Sequence, residues 1–494
     1  GYPRALVGTT PTVSKTITVQ NFSGAAMTLA TGYSVRSDWG GAVVSVSPAF
    51  VTVPATGTAL VTVTLTLNAT QSNLNVGGDP LFSITGKTIL HEESGYVTLT
   101  PISGGQTAIR VPVYAAPHLT SDMYAETEVE IAGDTGSSYV LLSGDGFDLG
   151  PDANDHLSLV SAYQLLATDG VETGLFWDAD NSGTDDPDEE LTDYSYADVE
   201  YVGADLQASS ATRNYLYVGI GMHGEWNSPR DLFVEVYVDV DNDTVDDYVW
   251  YYGSGASDSF SVSFVPLADG GAYSFGNVVN YFAGQSFDSM LLKNNVLVMP
   301  VIVTDTINFG DPGFPNWVGG PINVTVLTYQ RDSDFSFPID TVSGVYEQSI
   351  AFGASPWKIT RNLYANLDGA TLDFDYDVTG LSPLPQIMTI HHQNDDAESR
   401  VQITDLAQIT GETFALLSPA DDAYVRDAAD VTEATWEELT GAATYTFTLT
   451  QLSVSRGDGN TKASKTAQIA RPAASRTGGQ GNALGRSRRG DAGS

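Results

Sequence analysis

Five aspartates fall within nine residues, at Asp239, Asp241, Asp243, Asp246 and Asp247. Carboxylates this dense repel one another unless a cation sits among them, and only Arg230 lies close in sequence. Hard oxygen ligands at positions 1, 3 and 5 of a short loop are how proteins wrap calcium, so this segment is expected to hold a structural Ca2+ ion. Its flanks, Leu232 to Val238 and Tyr248 to Tyr252, are apolar-rich and read as strands.

A second acidic segment runs upstream as Asp178-Ala-Asp180-Asn-Ser182-Gly183-Thr184-Asp185-Asp186-Pro-Asp188-Glu189. It satisfies D-x-D-x-S-G followed by five residues and an acid, which makes Asp178, Asp180, Ser182, Asp186 and Glu189 candidate ligands. The flanks Gly174 to Trp177 and Leu191 to Tyr194 are not amphipathic helices, so the expectation is a calcium loop joining strands rather than an EF-hand. The plain alternative for both segments is a solvated acidic turn.

The elements that must position these loops are strands. Residues Ala59 to Leu67 alternate apolar and hydroxyl side chains with period two, the mark of a sheet with one wet face. Lys15 to Phe22, Ala42 to Val53, Gly95 to Ile102 and Ala108 to Tyr114 repeat the pattern, and Pro54, Pro101 and Pro112 suit edges and turns. About seven strands in the first 115 residues is the spacing of an immunoglobulin-like sandwich.

Composition bounds the rest. A chain of 494 residues holds three or four domains. With 61 acidic and 21 basic residues it carries −40, which argues against nucleic-acid backbones and anionic membranes as partners. Cysteine is absent, so there is no disulfide framework and no thiol nucleophile. No run approaches 18 apolar residues, so no membrane span is expected. The sequence begins at Gly1 with neither methionine nor an apolar leader, consistent with a mature product or a fragment. Sequons make Asn21, Asn68 and Asn323 glycosylation candidates, while Asn242 belongs better to the acidic loop.

One stretch carries a family likeness. Val44 to Pro48, Val51 to Pro54, Ala59 to Leu67, Glu93-Ser-Gly-Tyr-Val-Thr-Leu-Thr100 and Ile109-Arg-Val-Pro-Val-Tyr-Ala-Ala-Pro117 together resemble the fibronectin-III-like domain that follows the catalytic domain of large secreted subtilisin-like serine peptidases. Tyr215 to Gly221, Trp226 to Pro229, Val236 to Asp243 and Asn294 to Pro300 resemble, less extensively, the C-terminal extension of some of those peptidases. Phe414 to Asp422, Ala434 to Trp436 and Ala442 to Thr450 look like the opening strands of another such module, with Trp436 as its core tryptophan. The expected fold is therefore all-β: tandem immunoglobulin/fibronectin-III-like sandwiches with calcium-type acidic loops and a basic C-terminal tail. The expected divisions are residues 1–117, 118–410, a partial module at 411–455 and a Gly/Ser/Arg-rich tail at 456–494 in which strands have stopped.

The likeness covers only what lies downstream of a catalytic domain. No Gly-Thr-Ser-Met-Ala-like turn occurs, and serines beside glycine such as Ser254 and Ser355 lack nucleophile-elbow spacing. The six histidines include the adjacent pair His391-His392, whose side chains on a strand face opposite ways and suit packing better than a shared zinc. Six of the seven tryptophans, Trp39, Trp177, Trp226, Trp250, Trp317 and Trp357, offer a carbohydrate-stacking face or, by the general habit of tryptophan, core packing.

Two functions follow as expectations, neither catalytic. The first is an extracellular structural protein, secreted or at the cell surface, that associates with copies of itself through the unfinished last module and the basic tail. The second is the accessory portion of a secreted subtilisin-like peptidase, in contact with a peptidase domain or a cell-surface component. Residues 1–455 carry 13 basic and 59 acidic side chains, and residues 456–494 carry eight basic and two acidic, so tail and body attract.

Overall fold

The computed structural model describes residues 4–6, 8–37, 41–68, 93–103, 105–146, 158–171, 194–210, 213–254, 260–267, 273–280, 282, 289–305, 316–330 and 338–409, together with four later strands. Two compact units emerge, Gly1–Ala407 and Gln408–Ser494. The protein is all-β, and only two single 3-10 turns, Ser195–Ala197 and Ala397–Ser399, interrupt the strands among the described residues.

The first nine strands are β1 (Arg4–Leu6), β2 (Thr12–Gln20), β3 (Met27–Ser37), β4 (Ala42–Ser47), β5 (Phe50–Val53), β6 (Thr58–Leu67), β7 (Glu93–Pro101), β8 (Ile109–Ala115) and β9 (His118–Thr120). Seven of them form a sandwich of two sheets, ordered β2-β6-β4 and β5-β3-β7-β8. The period-two pattern of β6 does what it predicts: Val61, Val63, Leu65 and Leu67 are buried while the threonines between them are partly exposed. Val61 and Val63 meet Leu29, Val51, Val53, Val97 and Leu99 of the facing sheet, while Leu65 and Leu67 pack with Ala5, Ala115 and Leu119. The chain crosses from one sheet to the other between β4 and β5, at the cis Ser47–Pro48 bond. Within β7, Gly95 lets Tyr33 lie flat across it, since a Cβ there would sit 2.5 Å from the Tyr33 hydroxyl.

Beyond β9 the architecture thickens to three layers. The central sheet runs Glu128–Ile131, Val401–Gln408, Gln386–His391, Leu159–Thr168, Val199–Ser210, Arg213–Trp226, Asn294–Asp305. Leu159–Thr168 is buried on both faces over its first six residues, which a two-sheet sandwich would not require. Leu159 and Tyr163 pack toward one layer, Val160 and Ala162 toward the other. The first of these layers is a six-stranded antiparallel sheet, ordered Tyr273–Val278, Phe260–Pro266, Tyr248–Ser254, Leu232–Asp239, Ile322–Gln330, Asp340–Tyr346. The other is a four-stranded sheet of Asp122–Ala125, Thr135–Asp145, Thr371–Asp377 and Ile350–Phe352.

The N-terminal strand does not belong to the sandwich it precedes. β1 pairs in parallel with β9, Arg4 opposite His118. Arg4 donates to the carbonyls of Lys293 and Asp395 and reaches Glu225 Oε1 at 2.8 Å, the same oxygen that Arg400 holds at 2.9 Å. Arg400 is fully buried, its other donors spent on the Asn394 and Asp395 carbonyls and Asn295 Oδ1.

In the second unit Leu416–Ser418 pairs with Thr435–Trp436, and Thr444–Thr450 pairs with Ser464–Ala470. The last strand lies inside the segment expected to be free of strands. Its register sets Ile469 opposite Tyr445 and Ala467 opposite Phe447, an apolar alternation that the surrounding Gly, Ser and Arg content conceals.

Candidate metal centre

The two flanks of the aspartate loop are strands, Leu232–Asp239 and Tyr248–Ser254, joined as an antiparallel hairpin that closes at the Val238–Tyr248 pair. Leu232, Val234, Val236 and Val238 point into the core, where Trp250 stacks on Phe264 at 4.6 Å. The hairpin is thus rooted in a buried apolar layer, and its tip carries the acids. Asn242 and Thr244 take positive φ, 58° and 76°, which folds the tip back on itself.

Of the five aspartates, three converge. One carboxylate oxygen each from Asp239, Asp241 and Asp247 lies within 4.8 Å of the other two. Asp239 is 1% exposed, and its Oδ1 and Oδ2 accept the Asp243 and Thr244 amides. Asp247 Oδ2 accepts the Val240 amide at 2.8 Å. Burial pushes the Asp247 carboxyl up to about 6, and the neighbouring Asp241, Asp239 and Asp243 charges push the same way. Asp246 stands outside the group, half-buried, and is also raised, by burial first and by Asp239 second. Asp243 is exposed at the tip, where its Oδ1 caps the Val245 amide. The second acidic segment, with Asp178, Asp180, Ser182, Asp186 and Glu189, lies outside the described residues.

A residue noted in the sequence only as a sequon joins the site. Asn323, on Ile322–Gln330, donates from Nδ2 to Asp239 Oδ2 at 2.9 Å and to Asn242 Oδ1 at 2.8 Å. The atom that would carry a glycan is therefore engaged with the acidic loop. Asn21 is also turned inward, 7% exposed, with Nδ2 donating to the Ala25 and Pro54 carbonyls. Asn68 is exposed at the end of β6.

Two other groups of interest are interior. His391 Nδ1 meets Asn366 Oδ1 at 3.2 Å, and His392 Nε2 meets Ser161 Oγ at 2.9 Å, where the Tyr163 hydroxyl also donates. Burial holds both imidazoles down near 3, so they are neutral. The two rings face different partners, as adjacent strand residues must. Of the tryptophans, Trp226 and Trp250 are core residues, and Trp226 donates to the Leu291 carbonyl at 2.8 Å.

No family model matches this chain. No curated relative matches it either. Among solved structures, the Pseudomonas aeruginosa CupB2 chaperone aligns over 67% of this chain and 91% of its own length at 10% identity, with a TM-score of 0.13. The secreted serine protease VesC from Vibrio cholerae aligns over 61% of this chain at 7% identity and a TM-score of 0.16, and the alignment spans about half of VesC, 49%. A Bacteroides ovatus protein aligns over 82% of this chain and 94% of its own at 10% identity, with a TM-score of 0.18. At these scores none of the three carries an inference about activity.

Proposed function

We propose that this chain is a non-catalytic, extracellular β-scaffold whose acidic hairpin is closed by calcium. The observation that carries the reading is the convergence of Asp239, Asp241 and Asp247 at the mouth of a hairpin whose strands anchor the core. Three carboxylates offer up to six oxygens, and calcium takes six to eight, with water completing the shell. In a chain without cysteine, an ion at that position would bind the loop ends together as a cross-link does. A monovalent or softer ion is less suited, since all three donors are hard, anionic oxygens.

The scaffold is further proposed to associate with copies of itself through residues 411–494, on the strength of the opposite charges of tail and body. The family likeness of residues 1–117 favours a second setting for the same passive role, beside a subtilisin-like catalytic domain. Isothermal titration with calcium, against a chelated control, tests the ion: saturable heat with a rise in melting temperature is expected, and neither would remove the reading. Electron microscopy separates the two settings, with long ordered polymers expected for the self-associating scaffold and uniform monomers for the peptidase accessory.

A further inference from the structure

Among the described residues, the first sandwich is open along one side. β2 is the outer strand of the three-stranded sheet and β8 the outer strand of the four-stranded one. Between them runs a cleft of about 820 Å³ walled by Val13, Ile17, Val63, Val111 and Val113. Val13 is 41% exposed although it shares its side of β2 with the buried Val19. β1, the nearest strand in sequence, is engaged with β9 instead.

The two edges are not equivalent. Pro112 removes a backbone donor from the middle of β8, whereas β2 extends for nine residues without proline. An incoming strand would therefore be templated by β2. Val13, Lys15 and Ile17 are two residues apart, point the same way and all line the cleft. Lys15 is exposed and has no carboxylate within ion-pair range among the described residues. Of the acids of the rim, Glu225 is shared by Arg4 and Arg400, and neither Asp395 nor Asp396 forms an ion pair with Lys15. An alkyl chain would fill the walls yet leave the outward N–H and C=O groups of β2 to water, while a peptide strand satisfies them. A second copy's β2 would set lysine against lysine, an unfavourable cross-strand pair.

We propose that this cleft takes an extended peptide strand from another polypeptide, laid along β2, with an acidic residue facing Lys15 and apolar residues two positions to either side of it. The site is independent of the acidic hairpin and stands whether or not calcium binds there.

The test uses the full chain and a fluorescein-labelled nonapeptide, Ser-Thr-Val-Thr-Glu-Thr-Val-Thr-Ser, with a counterpart in which lysine replaces glutamate. Anisotropy should show saturable binding of the glutamate peptide and binding of the lysine peptide weaker by about tenfold or more, the scale of one close charge pair. Lys15→Glu should reverse that order, and Lys15→Met, which removes the charge but keeps an unbranched apolar chain, should abolish the preference. Absence of saturable binding by the wild-type chain would overturn the proposal, as would an unchanged preference in both variants. Displacement of the peptide by dodecanoate at equal concentration would equally overturn it, assigning the cleft to an amphiphile, and a dimer that the peptide dissolves would assign it to a second copy.

Discussion

Asn323 and Asp239 stand directly opposite one another across two antiparallel strands, and the Asn323 amide donates to Asp239 Oδ2 at 2.9 Å. This pair fixes the buried Asp239 carboxylate, which also accepts two amides of the loop tip.

Calcium is expected to raise the melting temperature of the intact chain, with about 2.7 kcal/mol added at a hundred times the dissociation constant. Asp241→Asn should weaken calcium binding strongly yet leave the melting point in chelator equal or slightly higher, because Asp241 is exposed, the loop's backbone bonds are made by Asp239 and Asp247, and one charge repelling Asp247 is gone. Calorimetry paired with thermal melts reads both.

Asn323→Asp would put a carboxylate against Asp239 in place of a donor. In chelator the variant should lose about 1–3 kcal/mol, the cost of removing a buried partner, and calcium should restore more stability to it than to the wild type. Equal calcium responses in urea denaturation would show that Asn323 does not contact the ion-binding group.

Acid should unfold the chain earlier than its acidic composition alone implies. His118, His391 and His392 are held by burial near 4, 3 and 3, against an ordinary value of 6.5. A depressed histidine means the unfolded chain binds the extra proton, so stability is lost as pH falls below about 6.5. Asp205 opposes this, since burial raises it to about 7 and the folded chain then holds a proton the unfolded chain lacks. Asp247, raised to about 6, acts as Asp205 does, so three histidines against two carboxyls leave a net uptake of about one proton on unfolding between pH 4 and 6, and the raised Asp246 and Asp340 trim it further. Denaturation curves across that range should show this slope, and Asp205→Asn should steepen it by about one proton.

Trp250→Ala should cost about 3–5 kcal/mol, the range for emptying a large aromatic site in a core. Trp250 is fully buried and stacked on Phe264 in the layer that roots the hairpin, so calcium affinity should fall along with the urea midpoint.

The sequence makes the strands plain wherever one face is wet. The alternation at Ala59 to Leu67 and the apolar flanks of the aspartate loop each correspond to a strand in the fold. Strand partners that lie far apart were not legible: nothing local says that Asn323 faces Asp239, 84 residues earlier. The third layer was hidden for a related reason, since a run such as Leu159 to Gln164, buried on both faces, has no alternation to read. Asn21 shows the same limit, because its sequon is visible locally and its inward-turned amide is not. Ser464–Ala470 escaped notice because a strand with one strong apolar residue looks like linker until its partner is known.

The path of the chain at its first strand has a mechanical meaning. Because β1 bypasses seven strands to lie beside β9, and Arg4 grips the body through Glu225, tension applied at the N-terminus enters the larger body directly. The intervening sandwich hangs as a side loop, spared from load, and the parallel β1–β9 contact is sheared lengthwise rather than unzipped one bond at a time.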